Sequence, residues 1–445
     1  MTDHTEEGVD GTKPLVLQFV KFKKCCCRKG DGGMTQVTIR PKVLAGRVTV
    51  PPSKSQAHRL LLCAALAQGE SEVGNVAFSQ DIRATLNCME ALGAKWEETA
   101  PGCLRISGIS ADAWQGELPR MDCGESGSTL RFLIPIALAV AGGGVFTGHG
   151  RLMQRPQKPY FDLFDETGIS YEQNEDTLVV RGRLVPGEYR LPGDVSSQFF
   201  TGLLYALSLL DEPSSVISTT RLESSEYIDM TVEAMARAGV EVRRGEDNKS
   251  YYITPVQYKR FAGGVEGDWS QAGFWYAAKA LGNGVEPSGM SLDSAQGDRV
   301  VAEHFRSLTQ EGDVTIDVSD CPDLVPPLAV MAAVRSGTAR LVNAARLRIK
   351  ESDRLASVTA TLNALGAYVE EGYDSLTIHG RNSLAGGVAV DCCNDHRIAM
   401  MAAVAATRCE KPVTLLGADC VKKSYPNFWE HYQELGGDLG VIVSG

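Results

Sequence analysis

Apolar positions recur along this chain in one compound signature: a helical period of apolar residues, a glycine where a helix would be capped, then a short apolar/polar alternation. It occupies residues 85–96, 163–171, 231–242 and 361–369, with a looser copy over 302–316. Two copies run on into hairpin patterns, over 172–180 with Asn174-Glu175-Asp176 at the turn and over 370–379 with Tyr373-Asp374-Ser375 there. A spacing of roughly 65 to 75 residues marks a repeat architecture, and about six units fit in roughly 410 residues. The expected fold class is α/β, with six units grouped three to a domain and their apolar helices packed together inside a shell of sheet. A doubly wound dinucleotide-binding sheet is disfavoured, since no Gly-x-Gly-x-x-Gly follows the first strand.

Glycine-rich joints at 42–50 and 261–268 divide this pattern. They predict a discontinuous domain I of residues 34–51 with 265–445, a domain II of residues 52–264, and a cleft between them that the chain crosses twice. Residues 1–33 stand apart: acidic over 2–10, apolar over the short stretch 15–20, then basic and cysteine-rich over 21–29. They are expected to be a disordered leader, with Met34 as the true start.

Composition narrows the picture. Over 445 residues, 43% are apolar and 22% charged, which is ordinary globular composition. The net charge of -11 argues against nucleic acid or an acidic membrane as partner, so any anion must be held by a local cluster. No apolar run approaches the ~18 residues of a membrane span. The twelve cysteines include Cys25-Cys26-Cys27 and Cys392-Cys393 but show no metal-ligand spacing. They read as reduced thiols of a cytoplasmic protein, with no metal site and no cofactor expected.

Candidate chemistry begins at Pro51-Pro52-Ser53-Lys54-Ser55-Gln56-Ala57-His58-Arg59. A strand over 43–50 ends at two prolines, Ser53 can cap, and an apolar helix follows over 60–67. Free N–H groups at a helix start attract anions, and Lys54 and Arg59 add charge to them. Ser55 and Arg59 are i,i+4 neighbours, so a hydroxyl and a guanidinium are expected on one face. A second cluster, Asp122-Cys123-Gly124-Glu125-Ser126-Gly127-Ser128-Thr129-Leu130-Arg131, is a small-residue turn opening an apolar helix over 132–141. Arg151 and Arg155 repeat the i,i+4 spacing, Ser196-Ser197-Gln198 opens another apolar helix, and Ser224 and Tyr227 add hydroxyls.

Carboxylates join in the second half. Asp323 lies before an apolar helix and also suits a plain N-cap. Residues 346–354 carry four cations and two carboxylates besides Ser352, with apolar residues at alternate places before Lys350, a pattern that predicts a strand end aimed at the cleft. Asn394-Asp395-His396-Arg397 opens a helix over 398–406, and Lys422-Lys423 is expected at the end of a strand. Several basic helix starts together with Asp323 and Glu351 imply two bound anionic groups and acid/base transfer.

Pro52-Ser53-Lys54-Ser55, Ser196-Ser197-Gln198-Phe199, Lys350-Glu351-Ser352-Asp353-Arg354 and Asn394-Asp395-His396-Arg397 together resemble the enolpyruvyl transferases, and more narrowly the EPSP synthase family, over residues 36–440. The resemblance implies six βαβαββ units in two domains. It also implies transfer of the enolpyruvyl group of phosphoenolpyruvate to the 5-hydroxyl of shikimate 3-phosphate, with release of phosphate. On that basis Ser55, Arg59, Ser196, Ser197, Gln198, Ser224, Tyr227, Asp323 and Lys350 would contact shikimate 3-phosphate. Lys54, Gly127, Arg131, Arg155, Gln198, Arg354, Arg397 and Lys423 would hold phosphoenolpyruvate. Asp323, Glu351, Lys54 and Lys350 would be catalytic, with Asp323 the hydroxyl base and Glu351 the carbon acid/base. Glu351 must be protonated to donate, so burial or the substrate anions are expected to raise its pKa.

Where the best-known members of that family have Gly-Asn-x-Gly-Thr this chain has Gly124-Glu125-Ser126-Gly127-Ser128, with an acid beside the expected phosphoenolpyruvate site, and Arg346 stands where some members have Asn. Glyphosate, which occupies that site in the family, becomes a candidate inhibitor whose effect depends on Glu125. A monomer is expected. The rival readings are a UDP-N-acetylglucosamine enolpyruvyl transferase, whose larger acceptor fits the small hydroxyl cluster poorly, and an inactive ligand-binding homologue. Facing cations in the two domains are expected to repel until anions fill the cleft.

Overall fold

Where the chain is apolar on all sides of a helix, the helix is wholly enclosed. The helices Gly127–Ala141, Ser197–Leu207, Val325–Ala333 and His396–Ala406 bury nearly their full circumference. The computed structural model describes residues 35–110 and 117–440; the Cys25-Cys26-Cys27 cluster and the rest of the expected leader lie outside them. Around these helices run short, strongly alternating strands that face the helices on one side and water on the other.

Among the described residues, five four-stranded sheets repeat one plan: a parallel pair, then two antiparallel neighbours, the last joined as a hairpin in four of them and in the fifth formed by Gln36–Arg40 with Asp438–Leu439. The fullest copy runs Val314–Asp317, helix Val325–Ala333, Thr338–Val342, helix Arg354–Ala364, then the hairpin Tyr368–Glu371 with Leu376–His379. The sheet of Glu188–Leu191, Ser214–Ser218, Ser250–Ile253 and Val242–Arg244 is built the same way. So is the sheet of Arg120–Asp122, Gly143–Thr147, Thr177–Arg181 and Ser170–Gln173.

Two copies borrow a strand from afar. Ala262–Gly264 pairs with Glu70–Gly74 as the parallel member of the first sheet, and Gln36–Arg40 completes the last one against Val413–Leu416. A sixth copy is reduced to the parallel pair Ala45–Thr49 with Gly284–Ser288. Each sheet can cover only one face of its helices, so three units must close round one another to form a core. Two apolar clusters result: one from Ala57 to Val265, the other from Val37 to Val50 together with Trp269 to Leu435.

The chain passes between these lobes at two adjacent strands of backbone. Ser53 N–H donates to Glu266 O at 2.7 Å and Asp268 N–H donates to Pro51 O at 2.8 Å. Gly267 is required there: a Cβ would stand 2.3 Å from the Gly289 carbonyl oxygen. Asp268 then ties two helix starts together, capping Trp269–Ala280 through Gln271 N–H and accepting Lys54 N–H at 3.1 Å.

Three local expectations fail. The alternation before Lys350 is a 3-10 turn, Ala345–Ile349, and Lys423 ends another, Ala418–Lys423. The preceding strand Thr338–Val342 is stopped by Asn343 at φ 62°, and a run of five residues fits a three-residue turn as well as a strand. Arg151 and Arg155 flank the 3-10 turn Leu152–Gln154, so they part: Arg151 is exposed and Arg155 is buried. The strand over 43–50 shortens to Ala45–Thr49.

One close helix crossing sits behind the cleft, at Gly202. At Gly202 a Cβ would stand 2.4 Å from Arg131 O and 2.3 Å from the Tyr160 hydroxyl, which donates to that same carbonyl at 2.7 Å. Gly202→Ala is expected to overpack this crossing and lower stability by about 1–3 kcal/mol in urea unfolding; an unchanged midpoint would show that the helices separate freely.

Candidate active site

Helix starts from both lobes converge on one cleft with about 820 Å³ of atom-free space, part of it open to solvent. On the first lobe, Ser53 caps Lys54–Leu66, Ser126 caps Gly127–Ala141 and Ser196 caps Ser197–Leu207. Facing them, Asp353 caps Arg354–Ala364 and Asp395 caps His396–Ala406. Ser and Asp stand at these positions because their oxygens satisfy the free N–H groups of the first turn, which leaves the remaining N–H dipoles aimed at the gap.

Lys54, Ser55, Arg59, Gly127, Arg131, Arg155, Ser196, Ser197, Gln198, Ser224 and Tyr227 line the cleft on one side, and Asp323, Lys350 and Glu351 on the other. Their bonds separate available groups from committed ones. Arg131 donates to Gln198 Oε1 at 2.9 Å and Pro156 O at 3.0 Å, while Gln198 donates to Ser128 Oγ at 3.0 Å. Burial, with Arg155 beside it, pushes the Arg131 guanidinium down to about 9. Gly127 carries no Cβ because one would lie 2.7 Å from Arg155 Nη1. Arg59 is anchored by Thr231 Oγ1, Ser55 O and Tyr227 O at 2.7–2.9 Å, and it lines the same side of the cleft as Ser55, its i,i+4 neighbour in the helix.

The opposite wall is a buried charge network. Arg354, 1% exposed, donates to Asp323 Oδ1 at 2.8 Å, Glu351 Oε2 at 2.6 Å and Asp395 Oδ2 at 2.8 Å. Arg397 donates to Asp323 Oδ2 at 2.9 Å and to Ser270 Oγ at 3.0 Å. Burial alone would raise the Asp323 carboxyl, but Arg397, Lys350 and Arg354 outweigh it and hold the group well below the usual range. Asp323 is therefore an ionised acceptor, and it caps no helix.

Burial by itself does not leave the Glu351 carboxyl raised, one branch of the expectation for it. Burial pushes its carboxyl up, yet Arg354, Arg155 at 3.7 Å and His396 hold it well below the ordinary carboxylate value. Burial lowers the Lys350 ammonium to about 8 against the pull of Asp323, 3.8 Å away. Arg354, Arg397 and Lys423 stand behind the lining; Lys423 donates to Glu125 Oε2 at 2.8 Å and Asn394 O at 2.7 Å.

Several participants were not legible as such. Asp81 pairs with Lys54 at 2.7 Å, and in the sequence it is one more acid in a helix first turn. Asp298, pushed to about 7 chiefly by burial, accepts the Tyr227 hydroxyl at 2.7 Å from the other lobe. Arg346 meets Glu223 at 2.6 Å and Ser224 Oγ at 2.7 Å, again across the lobes. Facing groups here are opposite in charge, not alike. Among the described residues no group of His, Cys, Asp and Glu is arranged to hold a metal ion.

Residues 39–432 match the family EPSP synthase (3-phosphoshikimate 1-carboxyvinyltransferase). The chain belongs to this family. It is 45% identical over 424 residues to a 3-phosphoshikimate 1-carboxyvinyltransferase of Clostridium kluyveri, covering 91% of this chain and 98% of that one. A relative of the same name from Clostridium acetobutylicum is 42% identical over 428 residues, with the same coverage. Among solved structures, an EPSP synthase of Acinetobacter baumannii superposes with a TM-score of 0.75 over 92% of this chain and all of that one, at 24% identity. The enolpyruvyl transferase NikO of Streptomyces tendae gives 0.71 at 15% identity, over 92% of this chain and all of that one. At that identity the two structures speak for the shared fold.

In this EPSP synthase family chain the network around Arg354 makes a pH prediction. Asp395, fully buried, is held below the usual range because Arg354 outweighs its desolvation. A carboxyl whose pKa falls on folding contributes stability that is complete above its unfolded value, near 4, and that is lost as pH drops through the folded value. Asp395→Asn is expected to cost about 3 kcal/mol at neutral pH by removing one of the three carboxylates that offset a buried guanidinium. In urea unfolding the gap to the parent should shrink below about pH 4; a gap independent of pH would show that Asp395 is not ionised in the folded protein.

Proposed function

We propose that the cleft transfers the enolpyruvyl group of phosphoenolpyruvate to the 5-hydroxyl of shikimate 3-phosphate. The observation that carries this is the meeting of two carboxylates, Asp323 and Glu351, around one guanidinium, opposite a wall of hydroxyls and cations at helix starts. Membership of the EPSP synthase family supports it. The two lobes are taken as domains that divide near residues 51 and 265.

The acceptor phosphate is assigned to Ser55, Ser196, Ser197 and Gln198 and the hydroxyl cluster at Ser224. The donor is assigned to Lys54, Arg131 and Arg155, with Arg354 and Arg397 positioning the carboxylates behind it. Addition forms a C–O bond from the 5-hydroxyl oxygen to the donor's second carbon; the hydroxyl proton leaves to a base, and the methylene carbon takes a proton. Elimination removes that carbon-bound proton and breaks the C–O bond to phosphate, which departs with the electron pair.

Asp323, ionised and 3.8 Å from Lys350, fits the hydroxyl base. Glu351 in its ionised state fits the base of the elimination half. It becomes the acid of the addition half when the donor's negative charge offsets Arg155 and Arg354, the cations that now hold its proton off. The chemistry needs no redox partner, since no atom changes oxidation state overall.

Lys54 and Arg131, as donor contacts, leave glyphosate a competitor for the same wall. No described helix is long and apolar enough to cross a membrane, and a cytosolic, monomeric enzyme is part of the same reading. A uridine-nucleotide acceptor is disfavoured by the small hydroxyl cluster, and Cys123, on the turn beside the donor wall, is fully buried.

Mixing the protein with shikimate 3-phosphate and phosphoenolpyruvate, without added metal, is expected to release phosphate only when the acceptor is present. Acceptor-independent release, or none, would overturn the reading. Glu351→Gln is expected to lower turnover by about 100-fold or more and to abolish solvent deuterium exchange into the donor methylene. Asp323→Asn is expected to slow turnover comparably while exchange of preformed intermediate persists; unchanged exchange in Glu351→Gln would reassign the carbon acid.

A further inference from the structure

Inside the lobe whose apolar core runs from Ala57 to Val265, four buried polar side chains form one line. His58 Nδ1 lies 2.8 Å from Thr85 Oγ1, Thr85 Oγ1 lies 2.6 Å from Thr129 Oγ1, and Thr129 Oγ1 donates to Ser126 Oγ at 2.7 Å. They join three helices, Lys54–Leu66, Gln80–Ala91 and Gly127–Ala141, the last of which Ser126 caps. His58, Thr85 and Thr129 are all 0% exposed, and none of them lines the cleft.

The protons in this line have one arrangement. A hydroxyl has a single proton to give, and that of Thr129 goes to Ser126, so Thr129 accepts from Thr85 and Thr85 accepts from His58. The imidazole is therefore the Nδ1–H tautomer. Its lone pair is left at Nε2, which is buried and has no hydrogen-bond partner among the described residues. Burial, with Lys54 and Arg59 on the same helix, keeps a second proton off the ring. In a dry core, any slide of one helix past another would leave a donor unpaired, so the line admits one packing of the three.

Two of these helices meet again at the cleft. Lys54 stands one turn before His58, Asp81 stands one turn before Thr85, and Lys54 Nζ donates to Asp81 Oδ2 at 2.7 Å. Residues four apart share a helix face, so Lys54–Asp81 and His58–Thr85 are two rungs of one ladder. The outer rung lines the cleft, and the inner rung is enclosed.

We propose that His58 is a positioning residue for Lys54: as the Nδ1–H donor to Thr85 it fixes the inner rung, and the inner rung sets where Asp81 holds the Lys54 ammonium. Through Thr129 and Ser126 the same line ties the start of the helix Gly127–Ala141 to Lys54, so two parts of the donor wall keep one spacing. The donor role of Lys54 rests on the enolpyruvyl-transfer reading, whereas the ladder does not.

The test compares the full chain with His58→Leu, Thr85→Val, their double variant and His58→Asn, whose amide carries an N–H at the same distance along the side chain. Val216→Ala, in the strand Ser214–Ser218 outside the line, controls for a general loss of stability. Labelling with acetic anhydride, read by mass spectrometry, reports on Lys54 without any reaction. Its rate is expected to rise about 3-fold or more in His58→Leu and Thr85→Val, and to stay within about twofold of the parent in His58→Asn and Val216→Ala. In nitrogen-15 spectra at about pH 6, the imidazole signal lost in His58→Asn is expected to be that of a neutral Nδ1–H ring. In steady state, His58→Leu is expected to raise KM for phosphoenolpyruvate about 3- to 10-fold, by more than kcat falls and by more than KM for shikimate 3-phosphate rises. The double variant is expected within about twofold of the worse single, because one line is broken in all three.

An Nε2–H or doubly protonated ring, Lys54 labelling unchanged in His58→Leu, or equal losses in His58→Leu and His58→Asn would overturn the proposal. So would an equal rise of both KM values in His58→Leu, or the same changes in Val216→Ala, which would mark loosening of the whole lobe. Where His58→Leu does not fold, the near-isosteric Thr85→Val carries the comparison. Should the parent protein show no transferase activity, labelling and spectra still decide for or against the ladder.

Discussion

A guanidinium taken out of water must be surrounded by negative charge, and around Arg354 that requirement organises the cleft. Its three carboxylate partners come from three places in the chain: Asp323 before one helix, Glu351 in the approach to the next, and Asp395 capping a third. Removing a charged group from water costs several kcal/mol, and only near-complete pairing offsets it. The network therefore fixes the relative positions of three repeat units, and it leaves Asp323 and Glu351 ionised at the edge of the cavity. The same guanidinium that anchors the lobe holds the acid/base groups in place.

Repetition supplies the rest of the geometry. Each unit ends a strand at a polar cap and starts a helix whose apolar sides must be enclosed, so the helix starts of three units point to one end of their lobe. Two lobes facing each other bring five capped N-termini to a single gap, lined with Lys54, Arg131 and Arg155 on one face and with Asp323, Lys350 and Glu351 on the other. The helix dipoles and the side-chain cations favour the same ligand charge. Rim pairs of opposite sign, Glu223 with Arg346 and Glu125 with Lys423, offset the mutual repulsion of so many cations.

Much of this was legible because it is local. The cap Ser53, the small-residue openings at 124–128 and 196–198, the apolar helices behind them and the helix-glycine-strand repeats depend on neighbours within a few residues. Pattern reading failed where a short run admits two periods, as at Ala345–Ile349 and Ala418–Lys423, or where a spacing was taken as helical, as at Arg151 and Arg155. It also missed Asp81, Asp298 and Glu223, because an acid whose partner lies tens or hundreds of residues away carries no mark of that partner in its own surroundings.

The sequence by itself determined the repeat, the two-lobe plan, the cationic helix starts and the kinship carried by its motifs, since each follows from periodicity, caps and short fixed strings. Tertiary structure alone decided which charges are free. Arg59 turns to backbone carbonyls, Glu351 stays ionised against the pull of burial, and Lys423 is met by Glu125. Protonation and availability depend on the net of desolvation and of charges brought close by folding, and those distances exist only once the lobes are assembled.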